Sequence, residues 1–206
     1  MWNNYQWATL EDFATIFQYL WHRDFPVDRI STGANRSDWR IHTGIVVRGI
    51  ADLMGLAARY EHGGKKDALL RSTDGDEIAI EWEWQGNDIY GKNKELDKLK
   101  THQAWSANKN KIKSLRYAVL ITYGQNISEI CTKVAEEWRN AIYPLLLILV
   151  KTEESTTFSI GKKFDCLHFY VFNRGEYSEK RCCPASPWEV IGTRWFGINN
   201  KGNDFT

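Results

Sequence analysis

Residues 65–84 read KKDALLRSTDGDEIAIEWEW, and the fold turns on how this stretch is parsed. Asp67 to Arg71 reads as a strand, Ser72 to Glu77 as a turn signalled by Asp74-Gly75, and Glu77 to Trp84 as a second strand. Side chains alternate along a strand, so Ile78, Ile80, Trp82 and Trp84 share one face. Glu77, Ala79, Glu81 and Glu83 share the other. The apolar face packs inward, and the hairpin brings Asp67 toward Glu81 and Glu83. Three carboxylates held together repel one another and call for a cation, so they form the candidate site.

Outward from the hairpin, the chain alternates helices and strands. TLEDFATIFQYLW (9–21) is an amphipathic helix capped by Thr9, with Asp12 at the capping-box position. A second helix is expected from Ser37-Asp38 to about Tyr60-Glu61, with Ile41, Ile45, Val46, Ile50, Leu53, Met54, Ala57 and Tyr60 as its stripe. NKELDKLKTHQ (93–103) reads as a third helix with Leu96 and Leu99 inward and Lys94, Glu95 and Lys98 along a polar edge. Leu115 to Tyr123 is a strand. Ile127 to Ile142 is a helix capped by Ser128, its stripe ending at Ile142. Leu145 to Val150 and Asp165 to Phe172 are further strands. The expected architecture is α/β, a mixed β-sheet flanked by helices. It divides into an N-terminal helical appendage (1–36), a core (37–172) and an irregular C-terminal extension (173–206) rich in Gly, Pro, Trp and Arg.

Composition narrows the function little. There are 206 residues, 27 basic and 26 acidic side chains, and a formal net charge of +1, so only a local basic patch can argue for nucleic acid. Lys92 to Lys113 holds one such patch. Ten tryptophans imply large aromatic clusters or stacking surfaces. The cysteines at 131, 166, 182 and 183 form no CxxC pair and show no His/Cys spacing of a zinc site. Free thiols in a reducing cytosol are expected. MWNNYQWATLEDF lacks a signal-peptide pattern, and the apolar run from Tyr143 to Val150 is too short to span a bilayer. A cytoplasmic chain with no membrane partner is the expectation. All five histidines read as structural, His102 being the one placed near the candidate site. No G-x-S-x-G, Walker A or G-x-G-x-x-G motif is present.

The order helix, strand with Asp67, strand with Glu81-Trp82-Glu83, helix, strand resembles the PD-(D/E)XK nuclease superfamily over residues 41–123. That resemblance implies a restriction-endonuclease-like core and Mg2+- or Mn2+-dependent hydrolysis of DNA phosphodiesters, related to restriction or defence. It implies that Asp67 and Glu81 bind the metal, and Glu61, at the end of the preceding helix, resembles an extra acidic ligand found in some members. The sequence departs from the motif twice. Lys66 stands where Pro precedes the Asp, and Glu83 stands where Lys is expected. Some restriction enzymes of the superfamily carry Glu there, and in others the Lys moves onto the following helix. Lys98 is the first choice for that role, with Lys94 and Lys92 as phosphate contacts. A homodimer would suit cutting of two strands. The alternatives are a catalytically inactive nuclease-like fold serving as a nucleic-acid or protein-binding adaptor, and an unrelated interaction protein whose glutamates line a solvated face.

Overall fold

A computed structural model describes residues 9–25, 36–62, 66–108, 114–153, 163–193 and 196. Seven strands form one mixed sheet whose spatial order follows the chain: β1 (Ala57–His62), β2 (Lys66–Ser72), β3 (Gly75–Glu83), β4 (Tyr117–Gly124), β5 (Leu145–Glu153), β6 (Lys163–Asn173) and β7 (Glu176–Pro184). β3, β4 and β5 run parallel, and every other neighbouring pair is antiparallel. Parallel neighbours need crossovers, supplied by α3 (Glu95–Lys100) and α4 (Ile127–Trp138). Both crossovers step in the same direction along the sheet. With the usual right-handed connection they fall on one face, and Leu96, Leu99, Val134 and Trp138 do pack there against Ala79, Leu120 and Leu147.

The opposite face carries α1 (Leu10–Arg23) and α2 (Arg36–Leu53). The Thr9–Asp12 capping box is formed. Phe13, Phe17, Leu20 and Trp21 are buried against the sheet, and Trp21 Nε1 donates to Ala185 O at 2.9 Å. α1 therefore belongs to the main core and is no appendage.

Three expectations are corrected here. α2 stops at Leu53, where Gly55 takes a positive φ of 68°, and the residues beyond it form edge strand β1. The buried stripe of α2 is set by Trp39, Val46, Val47, Ile50, Ala51 and Met54, leaving Ile41, Ile45 and Leu53 exposed. Trp39 decides this rotation, since it wedges edge-on against Tyr123 (centroids 4.2 Å apart) and beside Trp84. α4 ends at Trp138, capped at its start by Asn126 instead of Ser128, and Ile142 is 80% exposed. The region beyond Asn173 contains β7, joined to β6 by a tight turn in which Arg174 and Gly175 both have positive φ. β7 has mostly exposed side chains, as an edge strand does, so it shows no hydrophobic period.

No described helix is long and apolar enough to cross a membrane. Lys109, Lys111, Lys113 and Trp195 lie outside the described residues.

Candidate active site

The β2–β3 hairpin has the alternation read from its sequence. Ile78 and Ile80, with Trp82 and Trp84, face the α1/α2 cluster, and Ala79 faces the α3/α4 cluster. Its tight turn is Thr73-Asp74, between the paired residues Ser72 and Gly75. Gly75 serves close approach: a Cβ there would lie 2.1 Å from the Trp105 carbonyl oxygen, and φ is +137°.

At the open end of the hairpin the ladder stops at Ala68↔Ile80, while β3 continues alongside β4 to Glu83↔Thr122. Past that point each strand has a backbone N–H with no ladder partner, and such groups must be satisfied. The two acids do this reciprocally. Asp67 Oδ2 accepts from Trp82 N (2.7 Å), and Glu81 Oε2 accepts from Asp67 N (3.3 Å). The fork thus draws the two carboxyl groups toward each other.

Glu81 is wholly buried beneath α3, not solvated, which removes the reading of β3 as a solvent-facing acidic strand. Its Oε1 accepts no hydrogen bond from any described residue. Burial first, then the neighbouring Asp67 charge, pushes the Glu81 carboxyl up to about 8. Burial also raises Asp67, against the stabilising Trp82 amide. Two carboxyl groups drawn this close, one of them fully buried, favour the protonated form of Glu81 relative to that of a free glutamate.

Lys98 enters from α3. Its Nζ lies 3.0 Å from Glu95 Oε1 and 3.8 Å from Glu81 Oε2. Burial works against its charge, but the hydrogen bond to Glu95 and the surrounding carboxylates outweigh it and raise Lys98. Glu95 Oε2 is a second buried oxygen without a hydrogen bond among the described residues. Asp67, Glu83, Glu95, Lys98 and Arg40 line a pocket of ≈ 170 Å³ walled by Trp39, Trp82 and Trp84. Lys66 is buried and its pKa is lowered, chiefly by burial, with the Glu81 charge opposing. A wider groove of ≈ 970 Å³ lies between α1, α2 and residues 190–193. Its one acidic lining residue, Asp24, is tied to Arg23 at 2.7 Å.

Among the residues expected at the site, Asp67, Glu81, Glu83 and Lys98 converge. Glu83 lies on the pocket wall beside Asp67, with Oε1 accepting from Gln85 N (3.1 Å). Lys94 is turned to Asp88 (3.5 Å), and Lys92 is exposed just before α3. Glu61 is exposed on β1, between the pairs Tyr60↔Ala68 and His62↔Lys66, and not at a helix end. His102 is buried beside Asp76 (3.4 Å), at the far end of β3 from Glu81. The sequence marks neither Arg40 nor Lys66 as a site residue, and it offers Glu95 only on the polar edge of α3 as a partner for Lys98, the pairing found here. Arg40 and Glu95 come from helices packed over the hairpin, which no local spacing signals. Lys66 adjoins Asp67 in sequence, but its burial could not be read there.

The donors gathered here are hard carboxylate oxygens of the kind a divalent cation would take, and one Glu81 oxygen has no hydrogen bond from a described residue. No family model, no curated protein and no solved structure matches this chain.

Proposed function

We propose that this protein is a Mg2+- or Mn2+-dependent nuclease that hydrolyses DNA phosphodiester bonds, with a restriction-endonuclease-like core. One observation carries the reading: Asp67 drawn toward a fully buried Glu81, of which one oxygen has no hydrogen bond from a described residue and the other lies 3.8 Å from Lys98 Nζ. The element order adds support, since Asp67 and Glu81-Trp82-Glu83 stand on adjacent antiparallel strands followed by a helix and a parallel strand.

Asp67 and Glu81 would hold the ion, which supplies charge neutralisation on the phosphate and a more acidic bound water. Lys98, held by Glu95, replaces the motif lysine and faces the scissile phosphate or the attacking water. Glu83 orients that water from the pocket wall. Arg40 and the exposed Lys92 and Lys94 neutralise the substrate backbone. Trp39, Trp82 and Trp84 wall the pocket that Asp67, Glu83 and Lys98 line, which would lower the local dielectric and strengthen their charge interactions.

The adaptor reading rests on Glu83, which occupies the motif lysine position with its carboxylate engaged by Gln85. One experiment separates the two. Supercoiled plasmid DNA and labelled RNA are incubated with the full chain plus Mg2+ or Mn2+, beside Glu81→Gln. Cleavage of DNA that needs the ion and is lost in the variant supports the nuclease. Binding without cleavage, with no thermal shift on adding either ion, supports the adaptor.

A further inference from the structure

Far from the acid pair, the β6–β7 hairpin gathers a second set of ligating side chains that shares no residue with it. His168 pairs directly across from Cys182, and Cys166 lies two residues before His168 on the same face of β6. The two Sγ atoms and a ring nitrogen of His168 all lie within 4.8 Å of one another. Cys182 Sγ stands 3.9 Å from His168 Nε2. Tetrahedral zinc with bonds of about 2.0–2.3 Å spaces its donors roughly 3.5–3.8 Å apart. The Cys182–His168 pair is nearly at that separation, and the Cys166 sulfur lies within 4.8 Å of both, so small side-chain adjustments would close the set.

The histidine is also oriented for ligation. Its Nδ1 lies 2.7 Å from Glu179 Oε1, and a carboxylate there demands a donated N–H. The neutral ring then carries its lone pair on Nε2, the nitrogen facing Cys182. A carboxylate that fixes the tautomer of a ligating histidine is the usual outer support of a zinc site. Tyr170, stacked on the ring with centroids 6.1 Å apart, limits its rotation.

We propose that Cys166, His168 and Cys182 bind one zinc ion, with Glu179 as the positioning residue and the fourth coordination place open to solvent beside the exposed Cys182. Two sulfurs and an imidazole select a soft divalent ion, whereas the all-oxygen acid pair selects a hard one, so the two sites discriminate by donor type. The sequence reading found no zinc spacing because the ligands come from two strands separated by a turn. The bound ion ties edge strand β7 to β6. β7 also carries Arg181, which reaches Glu11, Thr15 and Gln18 of α1, so the metal braces one contact between sheet and helix.

The test titrates the full reduced chain with Co2+ chloride and then displaces it with Zn2+. Binding of one equivalent with sulfur-to-cobalt charge-transfer absorption is expected, along with protection of two thiols from a maleimide. Cys166→Ser and Cys182→Ser each abolish the band. Glu179→Gln weakens zinc affinity about 10–100-fold while keeping the band. Glu81→Gln and Cys131→Ser leave both unchanged, so failure here is distinct from failure of the nuclease reading. Absence of the band, its survival in Cys166→Ser and Cys182→Ser, or a Cys166–Cys182 disulfide that forms despite excess metal would each overturn the proposal.

Discussion

The two ends of the β2–β3 hairpin each hold a pair of acids, and they treat them in opposite ways. At the turn end, Asp76 receives Arg71 Nε (2.6 Å) and Trp105 N (2.8 Å), with His102 beside it. Glu77 receives Arg116 Nε (2.9 Å) and Ser72 Oγ (2.5 Å). Fixed donors surround both carboxylates, and two of those donors are guanidinium groups that stay charged at any working pH. At the open end, Asp67 and Glu81 are drawn toward each other, one Glu81 oxygen has no hydrogen bond from a described residue, and Lys98 Nζ lies 3.8 Å from the other. The first pair holds the structure together. The second leaves one carboxylate oxygen without a donor among the described residues, and under the proposed function that oxygen is what a cation would take up.

The largest effect should come from breaking this contrast chemically. Asp67→Asn or Glu81→Gln should lower Mg2+-dependent cleavage by roughly a thousandfold or more, since metal neutralisation contributes several kcal/mol. The same variants should raise the unfolding midpoint of the metal-free protein in urea, because they remove the cost of desolvating or protonating a buried carboxylate. At the other end, Asp76→Ala should cost about 3–5 kcal/mol, leaving Arg71 without its buried partner. A variant of the open end that destabilises as much as Asp76→Ala would break the comparison.

pH sharpens it further. Glu81 is raised in the fold to about 8, so the unfolded chain binds fewer protons than the native one between about 4.5 and 8. Metal-free stability must then fall as pH rises through that window, by ~2 kcal/mol or more. Saturating Mg2+ or Glu81→Gln should flatten the slope. His42 tilts the other way. Burial against Trp21 lowers it to about 4, so stability present above 6.5 is lost as pH falls toward 4. His42→Phe should remove the acid limb and leave the alkaline one. Urea melts across pH separate the two slopes.

Smaller effects are expected at the lysines. Lys98→Met should reduce kcat about 10–100-fold while ion binding persists, read as a kcat change with little change in metal-induced thermal shift. Lys94→Ala should change stability by less than about 0.5 kcal/mol, since its contact with Asp88 is half-exposed.

Much of this contrast was legible in the chain, but unevenly. The run Ile78, Ile80, Trp82, Trp84 against Glu77, Ala79, Glu81 reports faces directly. Asp67 and Glu81 could be paired because a short hairpin fixes its register. β1 was misread because Ala57 and Tyr60 happen to extend the helical period of α2 past Gly55. β7 was missed because an edge strand need not alternate. His168 and Cys182 gave no signal because their proximity depends on β6–β7 pairing.

By itself the sequence determined what covalent geometry controls: which side chains share a strand face, which helices have apolar stripes, and that two acids lie at one end of a hairpin. Tertiary structure alone decided how those acids behave. Whether Glu81 is solvated or buried depends on α3 packing over β3. Whether it has a counter-charge depends on Lys98 arriving from that helix. Periodicity is a property of neighbours along the chain, whereas desolvation and charge pairing are set by whatever packs on top, and those groups come from elsewhere in the chain.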